Sequence, residues 1–206
     1  MSENELPVSE AKDRIILELP FDETLSFLKK ELKRKKRTPY WLSFVFGLLF
    51  MFILRGIYLL THLFPIGEYF LAILLSFVFL IPLIFLHEFI HGFAFRIKGA
   101  KKIQYGIIWK SFAAYAVAVD FEYNYKQFRF IALAPLVLIS VLLTGLMFSP
   151  FLSTFWKQVC YFTFLQHYLA CIGDILSLSY FYRLKDRNIV TYDDVDKRIS
   201  YFVEKE

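Results

Sequence analysis

Cysteine is scarce in this sequence of 206 residues, with only Cys160 and Cys171 present. The two lie about three helical turns apart in one apolar run, which is too far for a disulfide within one helix. We therefore predict that both are buried, unreactive core residues.

The sequence also lacks the polar surface of a soluble domain, because 57% of its residues are hydrophobic and 20% are aromatic. It shows no pattern of a cleavable signal peptide, since the first apolar run begins only near Tyr40, behind a charged segment. The formal net charge is +5, but the basic residues lie beside apolar runs, where anionic lipid headgroups explain them. The composition therefore predicts a cell-membrane protein that contacts membrane lipids and does not bind nucleic acid.

The apolar runs predict an all-α membrane protein with about four transmembrane helices. The predicted spans are 40–60, 68–97, 128–148 and 156–182, within a membrane domain of residues 40–182 that a basic arm (1–39) precedes and a charged tail (183–206) follows. Lys and Arg are concentrated in the arm, in residues 96–126 and in the tail, so both termini are expected in the cytoplasm. Arg55, near the outer end of the first span, is expected to extend to the outer lipid headgroups.

One apolar run contains three ionisable residues within five positions, His87, Glu88 and His91, which form the pattern H-E-x-x-H. Inside a span each such group costs about 2.5 to 3.5 kcal/mol on insertion scales, so a function is expected. On a helix the two histidines share a face and can bind one zinc ion, while Glu88 reaches the water in the open position. The alternative is a hydrogen-bonded polar cluster without a metal.

The depth of polar residues in the predicted spans indicates Asp174 as the third metal ligand. His87 lies nine residues before Arg96, and Asp174 lies nine residues before Arg183. Both groups are therefore expected about 13 Å from the inner boundary that the two arginines mark. His167 would lie about 10 Å farther out and is expected to bond a neighbouring helix instead.

Alternating polarity from Ala114 to Tyr125, with residues 102–110 as the partner, predicts a β-hairpin at the cytoplasmic surface between spans two and three. Such an edge strand can receive an extended substrate. It can equally pack its aromatic face on helices or lipid. Asp120 or Glu122 of this segment is the alternative third ligand.

The arrangement resembles a family of bacterial multi-pass membrane proteins classed as zincin peptidases, which carry H-E-x-x-H-G at a helix end and Gly-Asp in the last span. The matching residues are His87 to Gly92 and Gly173-Asp174, with Ala134-Pro135 in the third span. More distantly, it is similar to the intramembrane site-2 proteases, in which an aspartate on a later helix completes the zinc site. Those proteases have an Asn-Pro pair upstream of Asp-Gly, and the fourth span here has neither, so their role in regulated proteolysis is not implied.

The sequence thus predicts a zinc metallopeptidase that hydrolyses peptide bonds near the cytoplasmic side of the membrane. Its substrate would be a protein or peptide, including membrane-bound ones. His87, His91 and Asp174 would hold the Zn²⁺ ion and Glu88 would be the catalytic base. The alternatives are a non-enzymatic membrane adaptor or assembly protein with a structural metal site, and, less well supported by a single compact cluster, a metal transporter.

The charge asymmetry gives a first testable prediction. Cysteines introduced near Gly67 and Ser153 should react with a membrane-impermeant thiol reagent added to intact cells, because both predicted outer loops are almost free of Lys and Arg. A cysteine near Lys101 should react only after the cells are opened. Labelling of that site in intact cells would contradict the orientation.

Overall fold

The computed structural model describes residues 14–34, 38–61, 65–109 and 113–205. The described chain is mostly helical, as predicted. Its helices are α1 (Thr24–Leu32), α2 (Pro39–Thr61), α3 (Ile66–Ile97), α4 (Tyr125–Phe148), α5 (Thr154–Ala170) and α6 (Ile172–Tyr182). Its strands are β1 (Arg14–Pro20), β2 (Lys102–Ile108), β3 (Ala113–Val119), β4 (Tyr123–Asn124), β5 (Ile189–Asp194) and β6 (Ile199–Glu204).

Among the residues that the structure describes, three helical stretches are long and apolar enough to cross a membrane: Ile66–Ile97, Tyr125–Phe148 and Thr154–Tyr182. The last combines α5 and α6, which are separated by a turn at Cys171. The apolar part of α2 that the structure describes fully, Pro39–Ile53, is shorter than a span. Membrane-length helices are therefore present, and the count of four spans stays a prediction.

The start of α4 is fixed by a reciprocal cap between Asn124 and Gln127. The backbone N–H of Gln127 donates to Asn124 Oδ1 at 3.1 Å, and that of Asn124 donates to Gln127 Oε1 at 3.0 Å. This capping box satisfies N–H groups that the first helical turn leaves without partners. The helix therefore begins at Tyr125, three residues before the predicted span.

The hairpin lies between α3 and α4, with β2 and β3 antiparallel and Tyr105 opposite Ala116. The predicted strand from Ala114 to Tyr125 was too long. It ends at Val119 because Asp120 adopts the left-handed conformation, with φ of 53°, which turns the chain.

The hairpin packs closely on the C-terminal part of α3 at Gly92. A Cβ atom there would overlap the Tyr105 hydroxyl oxygen, so glycine permits this approach without a shift of the Tyr105 side chain. Ala118 packs with Ala94 and Phe95 of α3 in one core cluster. The hairpin thus packs on the helix that carries the H-E-x-x-H motif.

The polar ends of the chain form a second, four-stranded antiparallel sheet with the order β1-β6-β5-β4. The expectation of an all-α protein is wrong for this region, because the tail, predicted only from its charge, supplies both central strands. Burial raises the pKa of Asp193 in β5. Its carboxyl oxygens accept hydrogen bonds from Ser200 Oγ at 2.5 Å and from the Tyr123 hydroxyl at 3.1 Å.

The end of α6 is held by an aromatic core that it shares with the sheet and by an ion pair to α1. Phe181 is fully buried and its ring contacts the rings of Tyr125, Phe128 and Phe202. The Arg183 guanidinium, just after α6, donates to the buried Glu31 carboxylate of α1. These contacts hold the end of α6, the helix that carries Asp174.

Replacing Phe181 with alanine should lower the free energy of unfolding by about 3 to 5 kcal/mol, the usual effect of deleting a buried aromatic ring. The matched control is Phe46→Ala in α2, because that side chain is 68% exposed on the helix surface. Denaturant unfolding of the purified protein in detergent measures both. Equal destabilisation by the two variants would contradict the role of Phe181 in joining α6 to the sheet.

Candidate metal centre

Three donor side chains meet where α3 faces α6. His87 and His91 are one helical turn apart on α3, and their Nε2 atoms lie 3.0 Å from each other. Asp174, in the first turn of α6, places Oδ2 3.3 Å from His87 Nε2 and Oδ1 3.4 Å from His91 Nε2. The structure therefore brings together the three residues that the sequence predicted as ligands.

The spacing of these donors fits a small divalent ion. Donors about 2.0 to 2.1 Å from a tetrahedral zinc ion lie about 3.3 to 3.4 Å from one another. The two histidine Nε2 atoms lie 3.0 Å apart, and each lies 3.3 or 3.4 Å from one of the Asp174 carboxylate oxygens. These separations are close to the value for zinc. Two imidazoles and one carboxylate are also a common donor set of catalytic zinc sites, which leave a fourth position open.

The orientation of His91 is fixed by the neighbouring helix α4. Its Nδ1 lies 3.0 Å from the backbone carbonyl oxygen of Ile131, and the residue is buried. Since a carbonyl oxygen only accepts, Nδ1 carries the proton and a neutral ring has its lone pair on Nε2. The lone pair of the neutral ring therefore faces Asp174, and either a metal cation or a second proton on Nε2 would join these two acceptors.

His87 has a corresponding partner on its other side, His167 of α5. His87 Nδ1 lies 3.0 Å from His167 Nε2. The sequence predicted that His167 lies about 10 Å farther out and bonds a neighbouring helix. The bond to a neighbouring helix is confirmed, because His87 belongs to α3. Seven residues are close to two helical turns, so His167 and Asp174 share a face and the His87 ring lies between them.

Cys171 lies beside His167, and with His87 the two form a second group of donors. Its Sγ is 3.9 Å from His167 Nδ1 and 4.0 Å from His87 Nδ1. His87 is thus common to two donor groups, one on each ring nitrogen. Both native cysteines are free thiols; Cys171 is buried as predicted, whereas Cys160 is only half-buried.

Glu88 is half-buried, and its carboxylate accepts a hydrogen bond from the backbone N–H of Ala116 in β3. It is close enough to His87, His91 and Asp174 to interact electrostatically with each. Ala116 therefore lies beside Glu88, on a strand whose other edge pairs with no strand among the described residues. Alternation in the sequence could not indicate this contact.

The cluster is covered but not sealed. The side chains of His87, His91 and Asp174 are 12%, 10% and 26% exposed. A fully enclosed structural metal would leave these side chains inaccessible, whereas a catalytic centre needs an open position. The three candidate ligands are therefore partly accessible at the protein surface.

Other candidates from the sequence lie elsewhere. Asp120 and Glu122 are exposed, Glu122 pairs with Lys205 Nζ at 3.1 Å, and neither belongs to a metal-binding group of the described residues. The Arg55 guanidinium lies over the rings of Tyr69 and Tyr161, and its extension to the outer lipid headgroups stays a prediction.

Fold and site together define a class: a helical protein with membrane-length apolar helices that gather two imidazoles and a carboxylate beside a glutamate. Residues 80–189 match the model of the family described as "Putative zincin peptidase". The match covers more than half of the chain, which therefore belongs to this family, and it includes every donor of the cluster. No curated protein and no solved structure gives a match.

The two donor groups around His87 can be separated by zinc stoichiometry. Purified wild-type protein should bind one zinc ion, and Asp174→Ala should lose it because one of three donors is removed. His167→Ala should retain the ion with about 10- to 100-fold weaker affinity, since it only orients His87. Inductively coupled plasma mass spectrometry and zinc titration measure both quantities.

The control for this experiment is Asp196→Ala, which removes an exposed carboxylate of the tail and should leave zinc binding unchanged. Loss of zinc from His167→Ala with retention in Asp174→Ala would place the ion on the other side of His87, with His167 and Cys171.

Proposed function

We propose that this protein is a zinc metallopeptidase of the H-E-x-x-H type that hydrolyses peptide bonds close to the cytoplasmic face of a membrane. The observation that carries the proposal is the convergence of His87, His91 and Asp174 on one accessible point with Glu88 beside them. The family to which the chain belongs supports the reaction class.

A zinc ion bound by the three donors would act as a Lewis acid on the scissile carbonyl and lower the pKa of the attacking water. Glu88 is the group that takes the water proton and later returns it to the leaving amine. It is not one of the three converging donors, so its carboxylate is free for this role.

Neighbouring residues fix the orientation of the two imidazole ligands. The Ile131 carbonyl and the His167 ring hold the Nδ1 sides of His91 and His87, so that both Nε2 atoms face Asp174. This arrangement limits the rotation of two imidazoles that share one helix face. His167 is therefore proposed as a positioning residue.

The free edge of β3 offers a place for the substrate. An extended peptide adds its backbone to such an edge by main-chain hydrogen bonds, which do not depend on its sequence. The hydrogen bond from the Ala116 N–H to Glu88 supports this placement, because it brings β3 next to the proposed base. A peptide aligned there would have a carbonyl group next to the three donors.

Glu88→Gln should keep bound zinc and reduce kcat/KM by about 100- to 10,000-fold, because glutamine cannot take the water proton. The matched control is Glu68→Gln, at the exposed first turn of the same helix. Zinc-loaded protein is incubated with a mixed peptide library and with membrane-protein substrates, and products are identified by mass spectrometry.

Cleavage by wild type and Glu68→Gln but not by Glu88→Gln supports the peptidase. Turnover by Glu88→Gln at the wild-type rate contradicts the assigned base. Zinc binding without cleavage by any variant favours a structural metal in a membrane adaptor or assembly protein.

A further inference from the structure

A second feature of the bundle lies away from the metal cluster: a cavity of about 630 Å³ between α2, α4 and α5. Its volume falls within the range of small-molecule sites, about 300 to 1,000 Å³. Most of the lining is apolar, including Phe50, Met51 and Phe164. The proposed peptidase reaction uses none of these residues.

One end of the cavity carries two cations. Arg55 lies six residues before the end of α2, and Lys157 lies three residues after the start of α5. The Arg55 guanidinium carbon is held 5.2, 4.8 and 5.5 Å from the ring centroids of Tyr69, Tyr161 and Phe162. Among the described lining residues there is no carboxylate. The cavity is therefore complementary to an anion at this end.

Next to Lys157, the cavity contains a buried acceptor without a hydrogen bond. Gln158 is only 4% exposed, and its Oε1 has no hydrogen-bond partner among the residues that the structure describes. The Ser140 hydroxyl also lines the cavity. It is buried and likewise has no hydrogen-bond partner among the described residues. Buried polar atoms in native proteins are nearly always bonded, so these two indicate a ligand with a hydroxyl donor.

The remainder of the cavity suits a hydrocarbon chain. It extends along α5 to Tyr168, ten residues beyond Gln158 and about 15 Å along the helix axis. A peptide segment in this space would bring backbone amides that need partners, and the apolar wall has few to offer. An acyl chain has no such requirement.

We propose that this cavity binds one anionic phospholipid with a hydroxyl-bearing headgroup, of the phosphatidylglycerol type. The phosphate lies between Arg55 and Lys157, a headgroup hydroxyl donates to Gln158 Oε1, and one acyl chain follows α5 towards Tyr168. This site is independent of zinc, since none of the three metal donors lines it.

Native mass spectrometry of the delipidated full chain in detergent tests the proposal with phosphatidylglycerol and phosphatidylcholine of identical acyl chains. Wild type should bind one phosphatidylglycerol at least 10-fold more tightly than phosphatidylcholine. The double variant Arg55→Gln/Lys157→Gln should lose that preference. Phosphatidylmethanol, which is anionic but has no headgroup hydroxyl, should bind several-fold more weakly than phosphatidylglycerol.

The matched control is Lys98→Gln/Lys185→Gln, which removes two other cations that also lie over aromatic rings, those of Phe130 and Tyr182. It should retain the preference. A cavity-filling variant, Thr144→Trp, should exclude phosphatidylglycerol while zinc content stays at the wild-type value.

Equal binding of the two lipids by wild type would overturn the proposal. So would an undiminished preference in Arg55→Gln/Lys157→Gln, or displacement of the bound lipid by an apolar transmembrane peptide. The last outcome would assign the cavity to a protein segment.

Discussion

The structure depends on the satisfaction of a small polar cluster within an apolar helix bundle. Two imidazoles and two carboxylates are costly in such surroundings unless each has a partner. Here Asp174 faces both His87 and His91, and the outer nitrogens of the two rings are taken by His167 and the Ile131 carbonyl. Helices α3, α4, α5 and α6 each contribute at least one of these groups, so the contacts constrain the relative positions of the four helices.

The two small sheets support this cluster from the polar side. The hairpin packs on α3 at Gly92, and the Ala116 N–H of β3 donates to Glu88. The four-stranded sheet packs on Phe181 near the end of α6, which begins with Asp174 in its first turn. Polar chain segments outside the bundle thus set the geometry of groups inside it.

Sequence reasoning placed much of the fold and the site but left particular contacts out. The H-E-x-x-H spacing and equal depth were enough to bring His87, His91 and Asp174 together as candidates, because helix periodicity fixes faces and heights. His167 was predicted to bond another helix, but its contact with His87 could not be predicted, since it depends on how α3 and α5 are rotated. The tail strand β6 pairs with β1 from the other end of the chain and with β5 of the tail, and no local pattern specifies the pairing with β1.

What the sequence by itself determined is local: apolar runs long enough for helices, the alternating strand that begins near Ala114, and two histidines on one face. Tertiary structure decided which ring nitrogen each imidazole directs inward, that Ala116 of β3 lies beside Glu88, and that Arg55 lies over aromatic rings beside a cavity. The physical reason is that periodicity is set by backbone geometry within a few residues. Side-chain partners on other elements are set by packing between segments that are distant in the chain.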